Sequence, residues 1–315
     1  MEPAGAGRRP PAPLLTPHAG PAGLPEAARR RLVGLDRPAV LAVLNVTPDS
    51  FSDGGLWHDP DDAVRHGLHL VASGADAVDV GGESTRPGAA RVDAAEELRR
   101  TVTVVRRLAG DGVPVSIDTM RAEVAAACLE AGAVLVNDVS GGAADPAMAR
   151  VVAEAGCPFV VMHWRGHSRS MASQATYADT VTDVVAELRR RVDDLVAAGV
   201  DADRLVLDPG IGFAKDAGHN WDLLAGLDAL AALGLPLLVG VSRKRFLGAL
   251  LPGPDGEPRP VEQRDDASAA VAALLAAEGV WAVRSHTALA TLDAVTVGAA
   301  WRRARAAVAR QDRST

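Results

Sequence analysis

Aromatic residues are nearly missing from this chain, in which Phe, Trp and Tyr together make up 3% of 315 residues. A core built around large rings is excluded. With 48% hydrophobic residues, the interior has to be packed from Ala, Val and Leu, as suits closely spaced strands and helices. Excess positive charge is absent too. The net charge of −7 argues against nucleic-acid and membrane-surface partners. No run approaches the roughly 18 apolar residues of a membrane span. Cysteine is scarce: Cys128 and Cys157 lie in apolar stretches without metal-ligand spacing, and read as buried free thiols of a cytoplasmic protein. Lysine is scarce as well. Of 33 basic residues only Lys215 and Lys244 are lysines. So strong a bias follows genome composition, and a lysine that survives it can mark a place that a guanidinium does not fit.

Residues 1–30 are rich in Pro, Ala, Gly and Arg and read as a disordered tail. No apolar core follows the Arg8-Arg9 pair, so the tail is not a secretory signal. From 31 to 310 a short β-branched run and a longer Ala-rich helical segment repeat eight times. The strand runs are 39–45, 77–81, 113–118, 134–138, 159–163, 205–208, 236–241 and 280–284. The helices include 61–73, 94–109, 121–131, 146–155, 180–198, 221–233, 267–278 and 287–308. Strands alternating with helices imply an α/β fold with a parallel sheet covered on both faces. Eight units fit a closed barrel; spacing alone leaves a doubly wound open sheet as the alternative. Two long connections, 164–178 and 251–266, each follow a strand and so lie at the end where barrel active sites form.

Polar chemistry collects at the carboxyl ends of the strands. In order they give Asn45, then Gly81 to Gly88 with Arg86, then Asp118, Asn137 with Asp138, Met162 with His163, Asp208, Ser242-Arg243-Lys244, and Arg284 with His286. Each has a plain structural reading. Asp118 and Asp138 could be helix N-caps, Asp208-Pro209-Gly210 a turn, and Asn45 a partner for loop backbone. Eight such tips at one mouth point instead to a site. Asp118, Asn137, Asp208 and Lys244 supply the donors and acceptors that suit a flat heterocycle, with Met162 and Phe213 as apolar faces. Arg86, Arg284 and His286 suit phosphate. There is no P-loop and no strand-adjacent G-x-G-x-x-G, so no nucleotide cofactor is implied. Nor is there a close set of metal ligands; any metal is a loosely held magnesium bridging phosphate oxygens.

Residues 45–55 and 81–88, Ser116-Ile117-Asp118-Thr119, 137–141, Met162-His163, 208–215, Ser242-Arg243-Lys244 and the Arg284-x-His286 pair resemble, in order, the signatures of the dihydropteroate synthase family. The resemblance runs from about residue 39 to about residue 299. It implies a single-domain (β/α)8 TIM barrel and a transferase of folate biosynthesis. The family's reaction condenses 6-hydroxymethyl-7,8-dihydropterin diphosphate with 4-aminobenzoate to give 7,8-dihydropteroate and diphosphate. Carried over, catalytic roles fall to Asp118, Asp208, Lys244, Arg284 and His286. The pterin is held by Asp118, Asn137, Asp208 and Lys244 and lined by Met162 and Phe213. The diphosphate meets Asn45, Arg284 and His286, with Mg2+ at Asn45. Phe51, Thr85, Arg86 and Pro87 build the 4-aminobenzoate pocket. Arg245 stands where the benzoate carboxylate is expected and many members have Ser. Ser285 and Thr287 flank His286, where the family usually has an apolar residue and Asp. For Lys215 no catalytic role is expected. The resemblance further implies a cytoplasmic homodimer and a sulfonamide target. Two other readings are a non-catalytic pterin-binding homologue, which should have lost site residues, and a pterin-dependent methyltransferase domain, which needs neither the long first two loops nor the Ser-Arg-Lys run.

Overall fold

The computed structural model describes residues 19–47, 59–83, 92–166 and 174–311. Among them, eight strands form one all-parallel sheet: β1 (Ala39–Asn45), β2 (Ala77–Gly81), β3 (Val115–Asp118), β4 (Leu135–Asp138), β5 (Phe159–Met162), β6 (Leu205–Asp208), β7 (Leu238–Gly240) and β8 (Ala282–Ser285). Each strand neighbours the next in sequence, and β1 also pairs with β8. Between β6 and β7 a parallel bridge joins Leu207 to Leu237, with the Leu207 N–H donating to the Pro236 carbonyl at 2.8 Å. That seam completes the ring. A doubly wound sheet would reverse its strand order partway; this one does not, so the barrel reading holds.

Helices α2 (Pro60–Ala72), α3 (Ala94–Gly110), α4 (Ala122–Glu130), α5 (Met148–Ala155), α6 (Thr180–Ala197), α7 (Ala217–Ala225), α8 (Leu227–Ala231), α9 (Arg245–Leu250), α10 (Asp265–Glu278) and α11 (Ala288–Gln311) wrap the barrel. Strand parity divides the apolar core in two. Val40, Ala42, Val78, Val80, Val115, Ile117, Phe159, Val161, Leu205 and Leu207 point outward into the helices. Ala39, Leu41, Ala77, Leu135, Val160, Val206, Leu238 and Ala282 point inward and fill the lower barrel. A short helix, α1 (Glu26–Leu32), plugs that floor with Ala28 and Leu32. The Trp281 indole N–H donates to the Leu32 carbonyl at 2.9 Å and fixes the plug in place.

Three sequence expectations change. Residues 19–30 were assigned to the tail, yet α1 packs under the barrel, so the body begins earlier than residue 31. The helix expected over 221–233 starts sooner and breaks. Asp216 and His219 form a capping box that starts α7. Gly226 interrupts it where a Cβ would stand 2.7 Å from Val181 of α6. Strands β3 and β7 begin beyond Pro114 and Pro236, which have no N–H to give to a ladder.

Helices α10 and α11 approach more closely than side chains normally allow. A Cβ on Gly298 would stand 2.1 Å from the Ala273 carbonyl oxygen and 2.9 Å from the Ala276 Cβ. Gly298→Val should therefore force these helices apart and cost about 1–3 kcal/mol, read as a lower urea midpoint at unchanged m-value.

Candidate active site

The inward face that is apolar at the floor turns polar near the mouth. Counting in twos from Leu41, Ala77, Leu135, Val160, Val206 and Ala282, the next inward residues are Val43 and Asn45, Asp79 and Gly81, Asn137, Met162, Asp208 and Arg284. On β3 the outward pair Val115 and Ile117 leaves Ser116 and Asp118 inward. Asn45, Asp118, Asn137, Met162, Asp208 and Arg284 therefore share one lumen. Glycine leaves room there. A Cβ on Gly81 would stand 3.5 Å from Asn45 Oδ1 and 3.7 Å from Asp118 Oδ2, and one on Gly240 would stand 3.5 Å from the Arg284 Cβ.

One charge network ties these strands together. Arg284 donates through Nε to Asp79 Oδ2 at 2.5 Å and through Nη2 to Asp118 Oδ2 at 2.7 Å. The same Asp79 oxygen accepts from Asn137 Nδ2 at 3.0 Å. Asp79 is fully buried, and its Oδ1 has no hydrogen-bond partner among the described residues. The heterocycle and phosphate sets inferred from sequence are thus joined through Asp79, which that inference missed. It stands mid-strand in an apolar run; its inward parity, two residues before Gly81, was the available signal. Burial works against the Arg284 charge, but Asp79, Asp118 and Asp208 outweigh it and hold its pKa above the ordinary value. Burial pushes Asp118 up to about 7; Arg284 opposes this and the nearby Asp79 charge adds to it.

Lys244 reaches the lumen from the turn after β7. Arg243, at φ 60°, takes a left-handed conformation that non-glycine residues rarely adopt. It is held there by α10: Nε and Nη2 donate to Asp265 at 2.7 and 3.0 Å, and its N–H donates to Ser268 Oγ at 2.9 Å. The Lys244 ammonium donates to the Ile211 carbonyl and lies 4.8 Å from the centre of the Phe213 ring. Burial lowers its pKa to about 8; Asp208 counters that and Arg284 reinforces it. Asp208 is raised by burial, with Lys244 the main opposing charge. Its Oδ1 also accepts the Gly210 N–H at 2.7 Å, so the turn reading of Asp208 holds alongside its place in the lumen. Ser242 Oγ accepts the His286 N–H at 3.1 Å and lies 3.0 Å from its Nδ1.

Other sequence candidates separate cleanly. Asp138 has outward parity, and its carboxylate accepts from Ser140 N–H and Oγ, both at 2.7 Å, and from Gly142 N–H at 3.0 Å. It anchors the β4–α5 loop. Arg245 is exposed at the first turn of α9. Phe51, Thr85, Arg86 and Pro87 lie outside the described residues. No cluster of three or more His, Cys, Asp or Glu suited to a metal occurs among the described residues.

A parallel barrel whose mouth holds buried carboxylates, an amide, a guanidinium and a lysine has the donors and acceptors of a binding site for a polar small molecule. Residues 41–286 match the family model described as pterin binding enzyme. The chain is 58% identical over 263 residues to the dihydropteroate synthase of Mycobacterium leprae, covering 83% of this chain and 93% of that one. Among solved structures, Yersinia pestis dihydropteroate synthase with a sulfonamide drug complex matches with TM-score 0.81 and 40% identity over 86% of this chain and 96% of that one. Xanthomonas albilineans dihydropteroate synthase with 4-aminobenzoic acid matches with TM-score 0.77 and 43% identity over 86% and 94%. The chain belongs to the dihydropteroate synthase family of pterin-binding transferases. The methyltransferase reading is set aside.

If Asp118 works as an anion and Lys244 as a cation, both must be charged in the free enzyme. The value of kcat/KM should then trace a narrow bell. It falls as pH drops through about 7, where Asp118 takes up a proton, and as pH rises through about 8, where Lys244 loses one. Initial rates of diphosphate release between about pH 5.5 and about pH 9.5 test this; a flat profile excludes both assignments.

Proposed function

We propose that the barrel mouth performs the family's condensation with the following division of labour. Asp118, Asn137, Asp208 and Lys244 hold the pterin ring of 6-hydroxymethyl-7,8-dihydropterin diphosphate, against Met162 and Phe213. Asn45, Arg284 and His286 receive the diphosphate. The observation that carries this reading is the bonded set Asn137–Asp79–Arg284–Asp118 inside one lumen, in a chain 58% identical to a dihydropteroate synthase.

The chemistry needs charge in two places. The C–O bond between the pterin methylene and diphosphate breaks, and both electrons leave with the diphosphate. Positive charge spreads into the ring, where the fixed carboxylates of Asp118 and Asp208 oppose it without taking a proton. Arg284 and His286 meet the departing anion. The Ser242 hydroxyl at His286 Nδ1 favours the tautomer with its proton on Nε2, ready to donate. The amine of 4-aminobenzoate is neutral near pH 7, so it forms the C–N bond without a strong base and then releases its proton to solvent. Asn45 offers one neutral amide oxygen at the strand end. With no carboxylate cage nearby among the described residues, that suits Mg2+, which takes few protein ligands when phosphate supplies the rest. When bound, the ion neutralises charge on the leaving diphosphate.

The 4-aminobenzoate pocket is assigned to Phe51, Thr85, Arg86 and Pro87, with Arg245 near the carboxylate. Sulfonamides, shaped like 4-aminobenzoate, compete there. The assembly is a homodimer; Leu274 on α10 and Leu289, Val297 and Trp301 on α11 are each at least 60% exposed, and such a surface favours burial against a second copy. The compartment is the cytoplasm, in keeping with the buried free thiols Cys128 and Cys157.

Incubation with the pterin diphosphate and 4-aminobenzoate should yield equal amounts of dihydropteroate and diphosphate. Failure to form either would leave only a pterin-binding role. Asp118→Ala and Lys244→Ala should each lower kcat/KM by about 100-fold or more with the fold retained by circular dichroism. Near-normal turnover in either variant removes that residue from the site.

A further inference from the structure

Both lysines of this chain follow a residue with left-handed backbone. Arg243 precedes Lys244, and Ala214, at φ 48°, precedes Lys215. The first supports the mouth through α10. The second belongs to the β6–α7 connection, and nothing in the reaction above uses it. Non-glycine residues stay in this region only where their surroundings force them to, and here the surroundings are specific. The Lys215 ammonium donates to the Phe213 carbonyl at 3.0 Å and lies 2.9 Å from His163 Nδ1. Tyr177 Oη donates to the Ala214 carbonyl at 2.9 Å.

His163, buried at the end of β5, is the second post. Its Nε2 lies 2.9 Å from Glu187 Oε2, and Glu187 also accepts from Arg165. Burial drives the His163 pKa down to about 4, so the ring is neutral. Nε2 carries the proton toward Glu187, and Nδ1 accepts from Lys215. Between the posts runs Gly210. A Cβ there would stand 2.4 Å from the His163 carbonyl oxygen and 3.3 Å from Lys215 Nζ, and φ is +67°. The Gly210 N–H holds Asp208 Oδ1, and its carbonyl accepts from the Phe213 N–H at 3.0 Å. Lys215 and His163 therefore grip the one turn that presents both Asp208 and Phe213.

We propose that Lys215 is a positioning residue of the pterin pocket, acting with His163 to fix the backbone turn from Asp208 to Phe213. This rests on the assignment of the pterin to this mouth. The site suits a compact amine, whose pKa burial lowers to about 7. Between Nδ1 of His163, the Phe213 carbonyl and Gly210, a planar guanidinium would present a broader fork than the single nitrogen of lysine. That explains why a lysine stands here in a chain that otherwise uses arginine.

The test uses the full-length enzyme with Lys215→Met, Lys215→Arg and Lys215→Cys. The cysteine variant is also treated with 2-bromoethylamine: its thiolate displaces bromide, forms a C–S bond and places an ammonium at lysine's reach. Cys128 and Cys157 are buried, with thiol pKa values pushed up to about 11 by burial, so they resist alkylation; wild-type enzyme treated in parallel is the control. Lys215→Met and Lys215→Arg should raise KM for the pterin diphosphate about tenfold or more, while KM for 4-aminobenzoate moves less than about twofold. Aminoethylation of the cysteine variant should restore the pterin KM to within about threefold of wild type. With an active wild type, an unchanged pterin KM, an equal rise in both KM values, or an aminoethylated enzyme no better than Lys215→Met each overturns the role given to Lys215. A wild type that forms no dihydropteroate overturns the reaction assignment first, and this proposal with it.

Discussion

A single guanidinium shared by two buried carboxylates sets the terms for the whole mouth. Arg284 lies between Asp79 and Asp118, on a strand that neither acid's strand touches in the sheet. Taking such charges out of water is costly, and removing one partner of a buried pair typically costs about 3–5 kcal/mol. The barrel tolerates the group because one cation meets two anions at close range and the Asn137 amide donates to one of them. The arrangement is also asymmetric. Nε is committed to Asp79, the deeper and fully buried acid, while Nη2 meets Asp118 nearer the strand ends. In the proposed reaction the deep contact anchors the side chain. The outer one is the contact that can be exchanged when a ring claims Asp118 and a diphosphate claims the arginine. The resting site thereby holds one cation balanced between two carboxylates.

That balance depends on the apolar half of the same lumen. On β2, β4, β6 and β8 the inward residue changes from Ala, Leu or Val at the floor to Asp, Asn or Arg two positions further on. Trp281 and α1 pack across the floor, at the opposite end of the lumen from the charges. Low local dielectric strengthens each contact there, and it also raises Asp118 and Asp208 while lowering Lys244. Burial thus draws the acidic and basic groups of this mouth toward one another in pKa.

Much of this was legible in the sequence, for a physical reason. Strands buried on both sides read as short apolar runs, so the polar residue ending each run stood out; β1 and β2 match their expected bounds. Asn45, Asp118, Asn137, Asp208 and Arg284, picked out near the ends of such runs, do share one lumen. What escaped depends on direction or on distant partners. Asp79 was hidden because parity, and not position, makes it part of the lumen. Asp138 resembled its neighbours until its outward face showed it serving a loop. Lys215 looked remote because only the left-handed turn at Ala214 brings it back onto His163. The floor helix α1 sits in a stretch whose Pro, Ala, Gly and Arg content reads as tail, yet two buried side chains suffice to dock it.

The same distinction of faces explains the unusual neighbours of His286. Ser285 points outward from β8: its hydroxyl accepts from Thr291 Oγ1 at 2.8 Å and from the Thr287 N–H at 3.3 Å. It binds the strand to the first turn of α11. Its own proton goes to Ser242 Oγ at 3.4 Å, so Ser285 also reaches the residue that supports His286. The link inward runs through Ser242, whose hydroxyl meets both the backbone and the ring of His286. Ser242 also opens the strained turn that delivers Lys244. Imidazole and ammonium are therefore positioned from one short segment. Their geometry follows from the β7–β8 pairing, from α10 behind it, and from Ser285, which ties Ser242 to the first turn of α11.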